Sequence, residues 1–393
     1  NRLLCLLLLC LFINNTHAQT TSFITYGMEQ GLIQNQVESV VQDDDGNLWI
    51  ATIAGLTKYD GDKFISFTKN QGLAEDWITT SCKDSKGNIW FGHWAGSVTR
   101  YNKELKIFEN LNLEEYTHFK SIRTIKEDGS GKFWIATEGA GVFIYDPANN
   151  KMFSITTKDG LTSNTVYDLI FDSNNNVLFA SDKGIVIYDF SKSISSPQSF
   201  TKIDQADGLF SQSITSLYFS SQGELWIGSA DKGVSFTKIS GSVESMKTQI
   251  AKSQVLNEAN GLRSNFIKTI REDHLKNIWV GTIGGGVSKL AREKNPNNYF
   301  KTYSTRQGLN YFNVNAIFED REKNIWIGTD LGLNQYRGER IQVFDEADSI
   351  PNNIIWSTYC DKEGNIWTGT NNGLAKMSFS YGANDTESHS VKL

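Results

Sequence analysis

The sequence is poor in cysteine, histidine and proline. Of its 393 residues, four are Cys, five are His and four are Pro. So few thiols and imidazoles leave little material for a metal centre, and we expect neither a metal ion nor a cofactor. The low proline content, with 33 Gly and 12% aromatic residues, excludes a disordered or collagen-like chain. What is left is a globular protein.

An excess of positive charge is also missing. The chain has 38 Lys and Arg against 44 Asp and Glu, which gives a formal net charge of −6. Proteins that bind nucleic acids neutralise phosphates with clustered basic residues, and no basic stripe is present here. We therefore expect no nucleic-acid partner.

Apolar runs long enough to span a bilayer are absent as well, because a membrane helix needs roughly 20 apolar residues. The longest run, residues 3–13, follows Arg2 and precedes the small residue Ala18. That order is typical of a secretory signal peptide. We expect residues 1–18 to be removed before Gln19, which leaves an exported, periplasmic or extracellular protein without a membrane segment.

What the sequence does contain is one phrase in eight copies. Each copy begins with a polar turn whose first residue is acidic or Ser. A β-rich run follows, which carries Trp, or Leu in one copy, and then a small residue, Gly or Ala. The spacing runs from 41 residues (Trp49 to Trp90) to 53 (Trp226 to Trp279), the length of a propeller blade. Leu178 takes the aromatic position in the fourth copy. We expect the Trp residues to be structural, packed between blades: Trp49, Trp90, Trp134, Trp226, Trp279, Trp326 and Trp367.

Each copy divides into short β-rich runs separated by Gly, Asn and Asp, without helical periodicity. This pattern predicts an all-β fold, a β-propeller of four-stranded antiparallel blades built by eight repeats within residues 19–380. The eighth copy has no fourth run of its own, and residues 22–26 form an orphan run. We expect this N-terminal strand to close the last blade of an eight-bladed ring. The alternative is a seven-bladed ring followed by the first blade of a second. Residues 381–393 are expected to be disordered.

The repeated phrase resembles the two-component regulator propeller repeat. The copies DDDGNLWIAT from Asp43, DREKNIWIGT from Asp320 and DKEGNIWTGT from Asp361 fit best, and the first two follow Gly-Leu loops. The fourth copy (Leu178 for Trp) and the fifth (Ser220 for Asp) depart from the pattern. The repeat typifies the periplasmic sensor region of Bacteroidetes hybrid histidine kinases. The resemblance implies a propeller that senses glycan fragments for two-component signal transduction, with no catalysis in these residues.

Candidate binding residues follow from the blade geometry. The loops leading into the first strand and the turns between the second and third strands share one face of a propeller. The second set varies most between copies, which favours binding there. Blade two combines Asp76 and Trp77 with His93 and Trp94, a set that suits a sugar. The alternative is that both Trp side chains only fill a gap between blades. The corresponding turns add Glu138, Asp182, Asp231, Asp330 and Asn371.

Three functions remain open at this stage. The first is a sensor that binds an oligosaccharide or another small extracellular ligand, with homodimerisation left open. The second is a protein-interaction scaffold. The third is an enzyme similar to streptogramin-type lyases, for which only His93, His118 and His274 are candidates. Because these three residues do not converge in the repeat pattern, we expect no enzyme.

Overall fold

The computed structural model describes residues 23–111, 113–194, 196–291, 300–336, 350–352, 354–363, 365–381 and 387–392. The expected signal peptide, residues 1–18, lies outside the described residues. The chain divides into two compact units, Asn1–Arg337 and Gly338–Leu393. No helix within the described ranges is long and apolar enough to cross a membrane.

The first unit contains seven four-stranded antiparallel sheets, blades 1 to 7. The N-terminal strand, β1, is Phe23–Tyr26. The remaining strands, blade by blade, are β2–β5 at Val37–Gln42, Leu48–Thr52, Gly55–Tyr59 and Phe64–Phe67; β6–β9 at Ile78–Lys83, Ile89–His93, Val98–Asn102 and Ile107–Leu111; β10–β13 at Ile122–Glu127, Phe133–Thr137, Val142–Asp146 and Lys151–Ile155; β14–β17 at Val166–Phe171, Val177–Ser181, Gly184–Tyr188 and Phe200–Ile203; β18–β21 at Ile214–Phe219, Glu224–Ser229, Val234–Lys238 and Gln254–Leu256; β22–β25 at Ile267–Glu272, Ile278–Thr282, Gly286–Leu290 and Lys301–Tyr303; and β26–β28 at Val314–Glu319, Ile325–Thr329 and Gly332–Tyr336.

Helices in the first unit are short. Among its described residues, the α-helices are α1 at Glu114–Thr117 and α2 at Val243–Ala251. Single 3₁₀ turns occur at Met28–Gln30, Lys69–Gln71, Pro197–Ser199, Gln205–Asp207, Glu258–Asn260 and Thr305–Gln307. Five of these turns end in a Gly with positive φ, such as Gly31 at 119°, a conformation that residues with a Cβ rarely adopt.

Most blades are fixed by the acidic residue and the Trp of their repeat. In blade 1, the Asp43 carboxylate accepts hydrogen bonds from the Asn47 N–H at 2.8 Å and from the Trp49 indole N–H at 2.9 Å. The Trp49 side chain is fully buried, and its ring lies 4.6 Å from that of Tyr101 in blade 2. A buried indole therefore has both its hydrogen-bond partner and its packing surface, and the core lies between successive sheets.

The ring closes between blades 7 and 1. Strand β1 pairs antiparallel with β28, with Phe23 opposite Tyr336. The Tyr26 ring packs against Trp326 of blade 7 at 5.7 Å and against Tyr59 of blade 1 at 5.7 Å. The expectation that the N-terminal strand closes the eighth blade is therefore wrong. The strand fills the seam between the first and seventh sheets, as in the alternative of a seven-bladed ring.

The second unit is one four-stranded antiparallel sheet. Its strands are β29–β32 at Ile355–Cys360, Ile366–Thr370, Gly373–Tyr381 and Glu387–Lys392. Within residues 381–393, which were expected to be disordered, the described residues Glu387–Lys392 form β32; it pairs along β31 and supplies partners for main-chain groups that an open edge would expose. With this sheet, the chain has eight four-stranded antiparallel sheets. The predicted all-β class and the eight repeats are thus confirmed.

Candidate ligand site at the mouth of the central channel

Every innermost strand of the ring carries a β-bulge at the same position. The register slips by one residue directly after the first residue of the strand, as between Ile122 and Thr124 of β10. A bulge adds one residue and re-aims its side chain. The seven extra residues, which we call the bulge ring, are Glu38, Thr79, Arg123, Tyr167, Thr215, Lys268 and Asn315. All seven line a central cavity of about 960 Å³.

Side chains of the bulge ring join neighbouring blades. The Thr79 hydroxyl donates to the Ile122 carbonyl at 2.5 Å, and the Thr215 hydroxyl donates to the Ile267 carbonyl at 2.6 Å. The Asn315 amide donates to the Val37 carbonyl at 3.2 Å across the seam that closes the ring. These bonds hold the positions of the strands around the channel, so the mouth is a pre-formed surface.

Charges of both signs surround the mouth. The Arg123 guanidinium lies 3.5 Å from the Glu138 carboxylate and 5.7 Å from the centre of the Tyr167 ring. Burial lowers the pKa of Lys268, the nearby Arg123 lowers it further, and Glu38 opposes both. Burial also raises the pKa of Tyr167. The mouth can thus donate hydrogen bonds to a polar ligand and accept hydrogen bonds from it, although the mouth itself has no large net charge.

Two exposed tryptophans stack beside this polar mouth. The Trp94 N–H donates to the Trp77 carbonyl at 3.0 Å, which extends the pairing of β6 with β7 beyond their ends. The indole rings are then 4.3 Å apart and inclined by 10°. Their exposed fractions are 37% and 44%, and both line the cavity. The structure brings these two residues together at the rim; their part in binding stays a prediction.

The other two candidates from blade 2 do not reach the rim. His93 is fully buried, with Nε2 2.8 Å from the Thr99 hydroxyl, and burial lowers its pKa to about 4. It ends β7 where other blades have a buried Thr or Ser, whose side chain turns inward, so its placement at the rim was wrong. Asp76 accepts from the Lys69 N–H at 2.7 Å and stabilises the loop before β6.

Only some of the remaining candidates lie at the mouth. Glu138 lines the cavity, and Asp330 accepts from the Asn315 amide at 2.9 Å, which places both at the mouth. Asp182 lies close enough to Tyr167 for its negative charge to raise the pKa of that phenol. Asp231 is exposed and accepts from the Ser211 hydroxyl at 2.5 Å. Asn371 belongs to the second unit, where it accepts from the Trp356 indole at 2.5 Å.

Sequence reasoning missed the whole bulge ring. Arg123, Tyr167 and Lys268 were not among the predicted binding residues. A signal was present, because each follows the first apolar residue of an innermost strand, as Arg123 follows Ile122 and Lys268 follows Ile267. In these strands that first apolar residue and the next apolar residue of the buried face are three positions apart, where strict alternation would put them two apart.

Comparison with known families identifies the repeat. The model described as two component regulator propeller matches residues 31–54, 72–95, 208–231, 261–284, 307–330 and 349–372. The predicted resemblance is confirmed. The third and fourth copies are not matched; the third lacks the Gly-Leu loop and the fourth has Leu178 in place of Trp. No curated protein matches the sequence.

Solved structures share the fold. The extracellular domain of a putative hybrid two-component system of B. thetaiotaomicron is 20% identical (TM-score 0.66), with 93% of this chain and 54% of that chain covered. The extracellular domain of a putative one-component system of the same organism is 22% identical (TM-score 0.64, 95% and 47%). Virginiamycin B lyase from Staphylococcus aureus is 14% identical (TM-score 0.57, 77% and 94%). This chain spans about half the length of the first two.

Proposed function

Because this chain carries the two-component regulator propeller repeat, we propose that it is the ligand-sensing propeller of an exported, periplasmic sensor. Its ligand is an oligosaccharide bound at the mouth of the central channel. The observation that carries this proposal is the stacked, exposed Trp77–Trp94 pair beside a cavity lined by polar side chains from all seven blades. The signalling output would lie in parts of a longer protein.

The chemistry of the mouth supports a sugar. A sugar ring has an apolar face that packs on an aromatic ring and hydroxyl edges that need donors and acceptors. The two indoles offer the aromatic surface, and Phe266 adds a further exposed ring that lines the same cavity. Arg123, Lys268 and Glu138 offer the polar partners within that cavity. Contiguous exposed apolar surface rimmed by polar residues marks interaction and ligand-binding sites.

A lyase activity has less support. The similar lyase structures share only the fold at their low identity. Of the histidines considered for catalysis, His93 is buried in blade 2, His118 is exposed after α1, and His274 lies in the acidic turn of blade 6 and contacts Glu319 at 2.5 Å. None of the three lines the central cavity. The site therefore favours binding over catalysis.

A glycan-binding screen with wild-type protein and Trp94→Ala tests the proposal. A tryptophan that is a hot spot of a binding surface contributes about 2 kcal/mol or more, so we expect at least about a tenfold loss of affinity. The exposed stack contributes only about 0.5–1.5 kcal/mol to stability, against about 3–5 kcal/mol for a buried Trp, and the thermal midpoint should fall little.

Phe153→Ala is the matched control, because Phe153 is exposed on the outermost strand of blade 3 and lies outside the cavity. It should bind glycans like the wild type. The absence of any glycan ligand, or equal binding by the Trp94 variant, would count against the proposal. A large loss of stability in that variant would instead identify the pair as packing between blades.

A further inference from the structure

Two of the seven innermost strands carry two positive charges each, at the same two positions. Strand β10 of blade 3 has Arg123 in the bulge ring and Lys126 three residues later, and β22 of blade 6 has Lys268 and Arg271. All four line the cavity. The other five innermost strands of the ring have no Lys or Arg at either position. We call Arg123 and Lys268 the upper level, and Lys126 and Arg271 the lower level.

The two strands stand on opposite sides of the channel, because two blades separate them in one direction and three in the other. Across the channel, the arginine of each strand lowers the pKa of the lysine on the other strand. Burial lowers the pKa of Lys268 and Arg123 lowers it further. Burial also lowers the pKa of Lys126; Asp168 opposes this, and Arg271 adds to it. An anion placed between the facing cations would relieve this repulsion.

The two levels differ in how their charges are compensated. At the upper level, Arg123 pairs with Glu138 at 3.5 Å. At the lower level the acidic partner is Asp168, 3.8 Å from Lys126, and this carboxylate also accepts from the Leu217 N–H at 3.0 Å. The Arg271 guanidinium donates only to the Ile270 carbonyl at 2.7 Å, with no ion pair among the described residues.

Other charged side chains at this end of the cavity are bound elsewhere. Glu127 accepts from the Ser85 N–H at 2.6 Å, and Lys83 lies 3.0 Å from Asp44. The thiol of Cys82 is neutral, because burial raises its pKa to about 12. The lower level thus has two cations against one carboxylate, and the free donors of Arg271 face the channel.

We propose that the lower level binds one carboxylate of an acidic oligosaccharide whose other sugars lie at the mouth. This inference rests on the proposed function and specifies its ligand as a uronic-acid sugar. Arg271 is suited to this role, because its planar guanidinium can hold a carboxylate with two parallel hydrogen bonds. Three residues of strand separate the levels by roughly 10 Å, so the ligand reaches down the channel.

The test compares trigalacturonic acid with its methyl ester, which has the same sugars without the charges. Calorimetric titration at low ionic strength should show about tenfold tighter binding of the acid, equivalent to about 1.4 kcal/mol. Arg271→Gln should remove that preference. Arg263→Gln is the matched control on the same blade, because Arg263 is exposed and outside the cavity, and it should keep the preference.

The outcomes separate this inference from the proposed function. If neutral glycans bind through Trp94 but the acid has no advantage, or Arg271→Gln keeps the advantage, the acidic ligand is overturned and the sugar sensor stands. If no glycan of either kind binds, both fail. The thermal midpoint checks folding: Arg271→Gln should melt no lower than wild type, because the substitution removes one of two facing like charges.

Discussion

At the residue scale, most copies of the repeat share a hydrogen bond from the Trp indole to a carboxylate, but not always an Asp at the same position. In most copies an Asp accepts from the Trp indole six residues later, as Asp273 does from Trp279 at 2.7 Å. The fifth copy has Ser220 at the Asp position, and the carboxylate moves to Glu224, which accepts from the Trp226 indole at 3.3 Å. The departure seen in the sequence is thus compensated within the same turn, because a buried indole N–H needs an acceptor.

His93 gives a pH-dependent prediction at this scale. Burial lowers its pKa from 6.5 to about 4, so the unfolded chain takes up a proton first as the pH falls. Above about pH 6.5, the imidazole therefore makes no pH-dependent contribution to the free energy of unfolding. Below that pH it lowers the free energy of unfolding progressively. Between pH 7.5 and 4.5 the wild type should lose about 2.5 kcal/mol more free energy of unfolding than His93→Thr, measured by urea denaturation.

The control for this experiment is His118→Asn. His118 is exposed with φ of 49°, a conformation that Asn tolerates, so the variant should follow the wild-type pH dependence. The smaller Thr at position 93 also leaves a void, but that cost is the same at both pH values. Parallel pH curves for wild type and His93→Thr would contradict burial of a neutral imidazole.

At the element scale, β1 is expected to hold the ring closed. Phe23 is buried, and its ring lies 5.8 Å from Tyr303 and 5.5 Å from Tyr336. A chain that starts at residue 28 loses this side chain and exposes the edge of β28. Loss of one buried Phe costs about 3–5 kcal/mol, which corresponds to a thermal midpoint lower by on the order of 10 °C.

Circular dichroism melting of that chain, beside a control that starts at residue 19, measures the effect. Adding a synthetic peptide of residues 20–28 should restore part of the loss, because the strand is then supplied in trans. Equal midpoints for the two chains would show that β1 does not close the ring.

At the scale of the whole molecule, the four-stranded sheets could be predicted from the sequence, but the way in which they close into a ring could not. The Asp turns and Trp runs predicted the sheets, because those signals are local. The orphan strand could complete either the seventh or the eighth sheet by the same local rules. What decides is the packing of Tyr26 between Trp326 and Tyr59, residues far apart in sequence.

The candidate site, too, was predicted only in part from the sequence. The Trp77–Trp94 pair stands out because both residues are extra to the repeat. The bulge ring does not, since its slipped register is displayed only as a spacing of three between apolar residues at the start of these strands, which is a weak signal by itself. His93 was misplaced because its direction follows from its position at the end of β7, where the side chain turns into the core.

Ring closure by β1 leads to the last prediction. If seven blades close the ring, a chain of residues 19–340 contains the complete first unit and should unfold cooperatively with a midpoint close to that of the main transition of the full chain. In an eight-bladed ring the same truncation would remove a blade and open two sheet edges. Its loss of stability would then equal or exceed that caused by removing β1. Melting curves of the two truncations, compared side by side, distinguish the architectures. A truncation at residue 340 that is as damaging as the loss of residues 19–27 would refute the seven-bladed ring.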